Sequence, residues 1–148
     1  MERTPDDFHA YKPRSLPHWR LGASTYFVTW RLAGNQPPLS PDERDIIDES
    51  LAHFDGARYE VWASLVMDDH VHAIVTPFDG WVLERLVHGW KSYSAHRLSA
   101  GGRAVPVWQK DYFDRIIRDE SELEQKTQYV LRNAQKRRPD TQDDRSVY

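Results

Sequence analysis

Four side chains in this 148-residue sequence are of types that could do chemistry together: two histidines and, far along the chain, a tyrosine and an asparagine. His70 and His72 lie in Val66-Met67-Asp68-Asp69-His70-Val71-His72-Ala73-Ile74-Val75, which reads as a turn feeding a strand. Side chains alternate faces along a strand. Val71, Ala73 and Val75 therefore share an apolar face that needs a core, and His70 and His72 share the other. Two imidazoles side by side are poor core material and a good ligand pair for one divalent metal. Two ordinary half-exposed strand histidines would show the same spacing. Tyr129 and Asn133 are four residues apart in a helical stretch, so they stack on one face. Gln125 and Lys136 lie on that polar side, while Leu123 and Val130 point elsewhere. A docking helix can carry a tyrosine for packing alone; beside a histidine pair, it reads as a nucleophile next to a metal.

The elements that must position these residues follow from the pattern of the chain. Ser24 to Leu32 is a β-branched and aromatic run, hence a strand. Ser40, Pro41 and Glu43 form a helix-start signature, followed by a stripe of Ile47, Leu51 and Phe54 that ends at Asp55-Gly56. Tyr59 to Met67 is a second strand, and Asp68-Asp69 connects it tightly to the histidine strand. A helix from about Trp81 to Leu98 shows apolar spacing at Leu83, Leu86, Val87 and Trp90 and stops at Gly101-Gly102. Val105 to Ile117 contains a fourth strand region. A last helix opens at Asp119, with Glu122 as capping-box partner, and runs to about Arg138. The order is strand, helix, strand, strand, helix, strand, helix. The expected fold is α+β: a ferredoxin-like split β-α-β, with a four-stranded antiparallel sheet, two helices on one face, and an additional C-terminal helix bearing the tyrosine. Its second face is the one assigned to His70 and His72. The expected organisation is an N-terminal arm over 1–20, a domain over 21–138 and a polar tail over 139–148.

Composition narrows the class. The hydrophobic and aromatic content suits a single globular domain, and the absence of cysteine excludes disulfides and thiolate metal sites. No apolar run approaches membrane-spanning length and the N-terminus has no signal-peptide pattern, so a cytoplasmic protein without a membrane partner is expected. The net charge of −3 hides an asymmetry. Residues 21–79 hold three Lys and Arg against ten Asp and Glu, whereas residues 80–138 hold twelve against seven. Solvated helix faces would account for this, and so would a surface for nucleic acid.

The chain resembles the single-tyrosine HUH transposases of the IS200/IS605 type, and most closely the REP-associated tyrosine transposases. The match is carried by Thr25-Tyr26-Phe27-Val28-Thr29-Trp30-Arg31-Leu32, Met67-Asp68-Asp69-His70-Val71-His72, Lys91-Ser92-Tyr93-Ser94-Ala95, Val107 to Glu120, and Tyr129-Val130-Leu131-Arg132-Asn133. It departs where Asp68-Asp69 stands for the frequent Pro-Asn and Ala134 for a proline. The resemblance implies that His70 and His72 bind a divalent metal, Mg²⁺ or Mn²⁺, with Asn133 as third ligand, and that Tyr129 is the nucleophile. It implies a DNA nicking and joining enzyme (a transposase) acting on single-stranded DNA near REP-like hairpins, through a 5′-phosphotyrosine, at the nucleoid, as monomer or homodimer. A domesticated hairpin-DNA binder that no longer cleaves is the alternative, and a metal-binding scaffold without a nucleic-acid partner is a third reading. Lys91, Arg115, Arg118, Lys136, Arg137 and Trp108 are the expected DNA contacts. The wider set of cations includes Arg85, Arg97, Arg103 and Lys110; Trp90, Tyr93 and Tyr112 suit a core as well as they suit base stacking.

Overall fold

The computed structural model of the chain describes residues 8–10 as backbone and residues 24–136, with side chains from 24 to 133. The elements are β1 (Phe8–Ala10), β2 (Thr25–Arg31), α1 (Pro41–Ala52), β3 (Tyr59–Val66), β4 (His70–Pro77), α2 (Leu83–Ala100), β5 (Phe113–Ile117) and α3 (Glu120–Lys136). The strands form one sheet in the order β1-β3-β4-β2-β5, each neighbouring pair antiparallel. Four of them, β2 to β5, carry out the ferredoxin-like plan. The fifth, β1, comes from the stretch expected to be an arm without strand character, and it pairs with the outer edge of β3. The rest of the expected arm and the expected tail lie outside the described residues.

Each face of the sheet has its own core. Val28, Trp30, Val71, Ala73 and Val75 point to one side, where α1 and α2 pack. Here Trp30 stacks on Trp90 at 5.7 Å and meets Trp108 edge-on at 6.2 Å. Aromatic pairs at such distances add about 0.5–1.5 kcal/mol beyond their area. Two of the indoles in this core satisfy their N–H groups, Trp90 donating to Tyr59 Oη (3.0 Å) and Trp108 to Ser94 Oγ (3.0 Å), whereas the buried Trp30 Nε1 has no hydrogen-bond partner among the described residues. The opposite face buries Ala63, Leu65 and Ile74 under Leu123 and Val130 of α3. A bulge between Val61 and Ala63 lets Trp62 join this second core.

The helix starts obey the local signals. Ser40 Oγ accepts from Glu43 N–H and Glu43 Oε1 accepts from Ser40 N–H, with Pro41 in the first turn. At α3, Asp119 Oδ1 accepts from Glu122 N–H, but the Glu122 carboxylate reaches one residue further back, to Arg118 N–H, and also takes Arg115. The fourth strand occupies the end of the region expected to contain it. Residues 105–112 run along α2, with an isolated bridge from Trp108 to Leu32, the residue after β2, and only Phe113–Ile117 of this region joins the sheet. No helix among the described residues is long and apolar enough to cross a membrane.

Candidate active site

The Asp68-Asp69 turn closes a tight hairpin, with Met67 N–H donating to His70 C=O at 2.8 Å. That turn starts β4 at His70 and sets its alternation. His70 and His72 land on the α3 face and are 0% and 6% exposed. Their rings are 4.7 Å apart at 74°. The register puts Thr29 of β2 opposite His72 and Arg31 opposite His70.

Both imidazoles are gripped through Nδ1. His70 Nδ1 is 2.7 Å from Asp69 Oδ1, and His72 Nδ1 is 2.9 Å from Thr29 Oγ1. A carboxylate can only accept, so His70 carries its proton on Nδ1 and turns the lone pair of Nε2 toward the site. This is how outer-shell partners orient metal-binding histidines. Burial pushes the pKa of His70 down despite Asp69. It pushes that of His72 to about 3, helped by the neighbouring His70 and Arg31. Both rings are therefore neutral at physiological pH, the form that ligates metals.

The tyrosine arrives from the other layer. Tyr129 is half-buried and meets His72 at 6.3 Å between ring centroids; Phe27, next to Thr29 on the same face as His72, meets His72 at 5.3 Å and Tyr129 at 6.1 Å. Asn133, one turn on, is 4% exposed, and its Nδ2 has no hydrogen-bond partner among the described residues. A buried amide normally finds partners, at about 1–3 kcal/mol for each one missing. Rotating the amide by 180° presents Oδ1 in the same place, which suits an oxygen ligand for a cation. The helix face carrying these residues is not a separate polar side. Val130 and Leu123 are buried on the same sheet, so Tyr129 and Asn133 flank an apolar contact that docks them.

Among the described residues no group of three or more His, Cys, Asp or Glu side chains could hold a metal ion. The candidate ligands are two imidazoles and an amide, a donor set that fits a divalent cation preferring nitrogen and oxygen.

The expected DNA contacts divide. Arg115 lies on β5 opposite Phe27, 52% exposed, in an ion pair with Glu122 at 2.7 Å; Arg118 is exposed beside it. Lys91 is a structural clip: its ammonium donates to the carbonyls of Gln109 (2.8 Å) and Lys110 (3.0 Å), and burial lowers its pKa. Trp108 is 6% exposed, edge-on to Trp30, so its ring is spent on the core and not presented to a base. Arg103 likewise clamps Glu43, Gln36, Pro37 and Pro38. The Lys136 side chain and Arg137 lie outside the described residues. Three residues gain a place beside the site that the sequence reading did not single out. Thr29 and Asp69 hold the imidazoles, and the Lys126 ammonium lies 5.8 Å from the centre of the Phe27 ring. Lys126 is three residues before Tyr129, a spacing that could have pointed to it.

Comparison with known proteins bears on the fold and the family. Among solved structures, the chain is similar to a REP-associated tyrosine transposase bound to a REP hairpin, at 18% identity and a TM-score of 0.62, covering 82% of this chain and 70% of that one. It is also similar to a protein from Deinococcus radiodurans R1 described as a transposase, at 24% identity and a TM-score of 0.51, covering 82% of this chain and 96% of that one. No curated protein matches. Residues 40–133, well over half of the sequence and including both histidines, the tyrosine and the asparagine, match the family model of IS200-like transposases, and the chain belongs to that family.

Proposed function

We propose that this chain is a metal-dependent enzyme that nicks and rejoins single-stranded DNA through Tyr129. One observation carries the reading: His72 and Tyr129 converge around Phe27 on one sheet face, with both imidazoles fixed through Nδ1. A divalent cation, Mg²⁺ or Mn²⁺, would be held by Nε2 of His70, Nε2 of His72 and Oδ1 of Asn133. When bound it supplies positive charge for the phosphate oxygens.

The chain's own residues do the rest. The half-buried Tyr129 hydroxyl attacks a backbone phosphorus. An Oη–P bond forms, the bond from phosphorus to the 3′-oxygen breaks, and that oxygen takes a proton from water to leave as a free 3′-hydroxyl while the phenolic proton passes to water. The 5′-phosphate stays on the tyrosine. One ester has replaced another, so attack by a 3′-hydroxyl reseals the strand with no nucleotide cofactor. Docking of α3 through Val130 and Leu123 fixes the phenol against the sheet, and such positioning can lower a barrier by several kcal/mol. Arg31 and Lys126 add positive charge at the edge of the site. Arg115 and Arg118, both exposed, would hold phosphates of the incoming strand. A structural neighbour is bound to a REP hairpin, and we take a REP-like palindrome as the DNA beside which this chain cuts.

The test is an adduct assay with labelled single-stranded hairpin DNA and Mn²⁺, resolved on a denaturing gel. A covalent protein–DNA band is expected from the parent and from neither Tyr129→Phe nor His70→Ala. Tight binding with no band from any palindrome would point instead to a binder that has lost cleavage.

A further inference from the structure

On the sheet face opposite Tyr129, a groove of about 890 Å³ runs between the exposed side of α2 and residues 105–112. Its walls carry Arg58, Arg85, His88, Lys91 and Lys110 against one acid, Glu84. The far wall is rigid, since Lys91 ties it to α2 through two carbonyls. A second cavity of about 210 Å³ opens beside the groove between α1 and α2 and shares Arg58, Trp81 and Arg85 with it. At this junction the Arg58 guanidinium lies 3.4 Å from the centre of the Phe54 ring and 4.4 Å from that of Trp81, with Arg85 5.0 Å from Trp81. Cations held over aromatic faces stay charged and keep their remaining N–H groups for phosphate.

Gly89 lines this side cavity in the middle of α2. A glycine inside a helix costs about 1 kcal/mol relative to alanine. Packing does not require it: a Cβ built at Gly89 meets nothing within 4 Å. Glycine at such a place is used where something must approach the backbone closely. The cavity is walled by Phe54, Tyr59, Trp81, Trp90 and Tyr93, and a cavity of about 150 Å³ already admits benzene. Flat aromatic rings and a cationic mouth are the two components of single-stranded nucleic-acid sites.

Resting on the reading of this chain as a DNA enzyme, we propose that the groove is a second DNA site, separate from the cutting face. It takes a single-stranded segment, with one unpaired base in the cavity beside Gly89 and the flanking phosphates on Arg58, Arg85 and Lys110. Duplex DNA cannot deliver a base into the cavity, so the site selects unpaired nucleotides.

The test uses the full chain carrying Tyr129→Phe, so that no cleavage intervenes, and measures anisotropy of a labelled single-stranded oligodeoxynucleotide and of its fully paired duplex. Gly89→Leu fills the cavity from a good helix former. It should weaken single-strand binding about tenfold and leave duplex binding unchanged, because stacking of one base has about that value. Its melting temperature should not fall. Gly89→Ala, which leaves most of the space open, should bind like the parent. Arg85→Gln removes an exposed cation at the mouth that groove and cavity share, without filling the space beside Gly89; it should lower the slope of log Kd against log salt by about one. Unchanged single-strand affinity in Gly89→Leu together with an unchanged salt slope in Arg85→Gln overturns the second site and leaves the nicking reading intact. Equal losses for single strand and duplex overturn the base pocket. No binding by the parent sinks the DNA reading itself.

Discussion

Replacing Thr29 by valine removes one hydroxyl from behind His72 and changes almost nothing else. The two side chains have the same shape, both favour strands, and position 29 stays paired with position 72. What is lost is the 2.9 Å contact to a ring nitrogen on a histidine only 6% exposed. Leaving that nitrogen buried and unpaired should cost about 1–3 kcal/mol of stability without metal, or roughly 3–9 °C in melting temperature for a chain of this size. The larger signal is in the metal. Loss of the outer partner of a ligating histidine typically weakens metal binding about 10–100-fold. At Mn²⁺ one hundred times the parent's Kd, the metal should stabilise the parent by about 2.7 kcal/mol, but Thr29→Val by only about 0.4 to 1.4 kcal/mol. Thermal melts with Mn²⁺ and with chelator, at several metal concentrations, read both quantities. Thr29→Ser should recover most of the metal increment. A variant that melts lower but gains as much from Mn²⁺ as the parent would show that Thr29 only packs. If neither chain responds to any divalent cation, the proposed ligand set is wrong.

Other outcomes follow from the same geometry. Arg103→Met should cost about 3–5 kcal/mol in urea unfolding, because it strands a partly buried Glu43 and three loop acceptors. The Arg103 guanidinium holds the Glu43 carboxyl below its ordinary pKa of 4.5. The stabilisation from this pair is therefore present above pH 4.5 and lost as pH falls through the lowered value. The difference in stability between parent and Arg103→Met should accordingly narrow as pH falls below 4.5. In chelated protein, His72 has its pKa pushed down from 6.5 to about 3 by burial, so the folded state binds fewer protons than the unfolded one across that range. Stability should fall as pH drops below 6.5, by at most about 1.4 kcal/mol per pH unit for this group, and His72→Gln should flatten the slope; an equal slope in both would contradict the assignment.

The parts of the site legible in the sequence were those set by local periodicity. His70 and His72 share a face because a strand repeats every two residues. Tyr129 and Asn133 share one because a helix brings round every fourth. The Ser40 capping box is local too. What the sequence did not disclose depends on register and distance. Thr29 reaches His72 only because β2 and β4 pair at that offset, and nothing in either segment alone announces it. Arg103 reads as one more surface cation until the 36–38 loop folds against it. Trp108 and Lys91 suit DNA as side-chain types. They are taken by the fold because the 105–112 segment, which precedes the strand, lies along α2 and turns Trp108 into the core. The brief strand at Phe8–Ala10 escaped for a related reason: three residues carry too little pattern, and its pairing with β3 supplies the missing order.

The order of parts along the chain has a consequence for how this protein is made. Synthesis proceeds from the N-terminus, and domains begin to organise as they emerge. The imidazole pair, its Thr29 and Asp69 supports and the groove beside α2 are all encoded before β5 is complete. The phenol comes on α3, the last of the described elements. A chain interrupted by a stalled ribosome or a premature stop codon before Tyr129 therefore lacks the group that the proposed mechanism uses to open a phosphodiester. On that proposal its aborted translation products cannot cut DNA, and they also lack Val130, which helps to cover the second face of the sheet. Under that proposal, cutting waits until the helix that covers the second face of the sheet has been made.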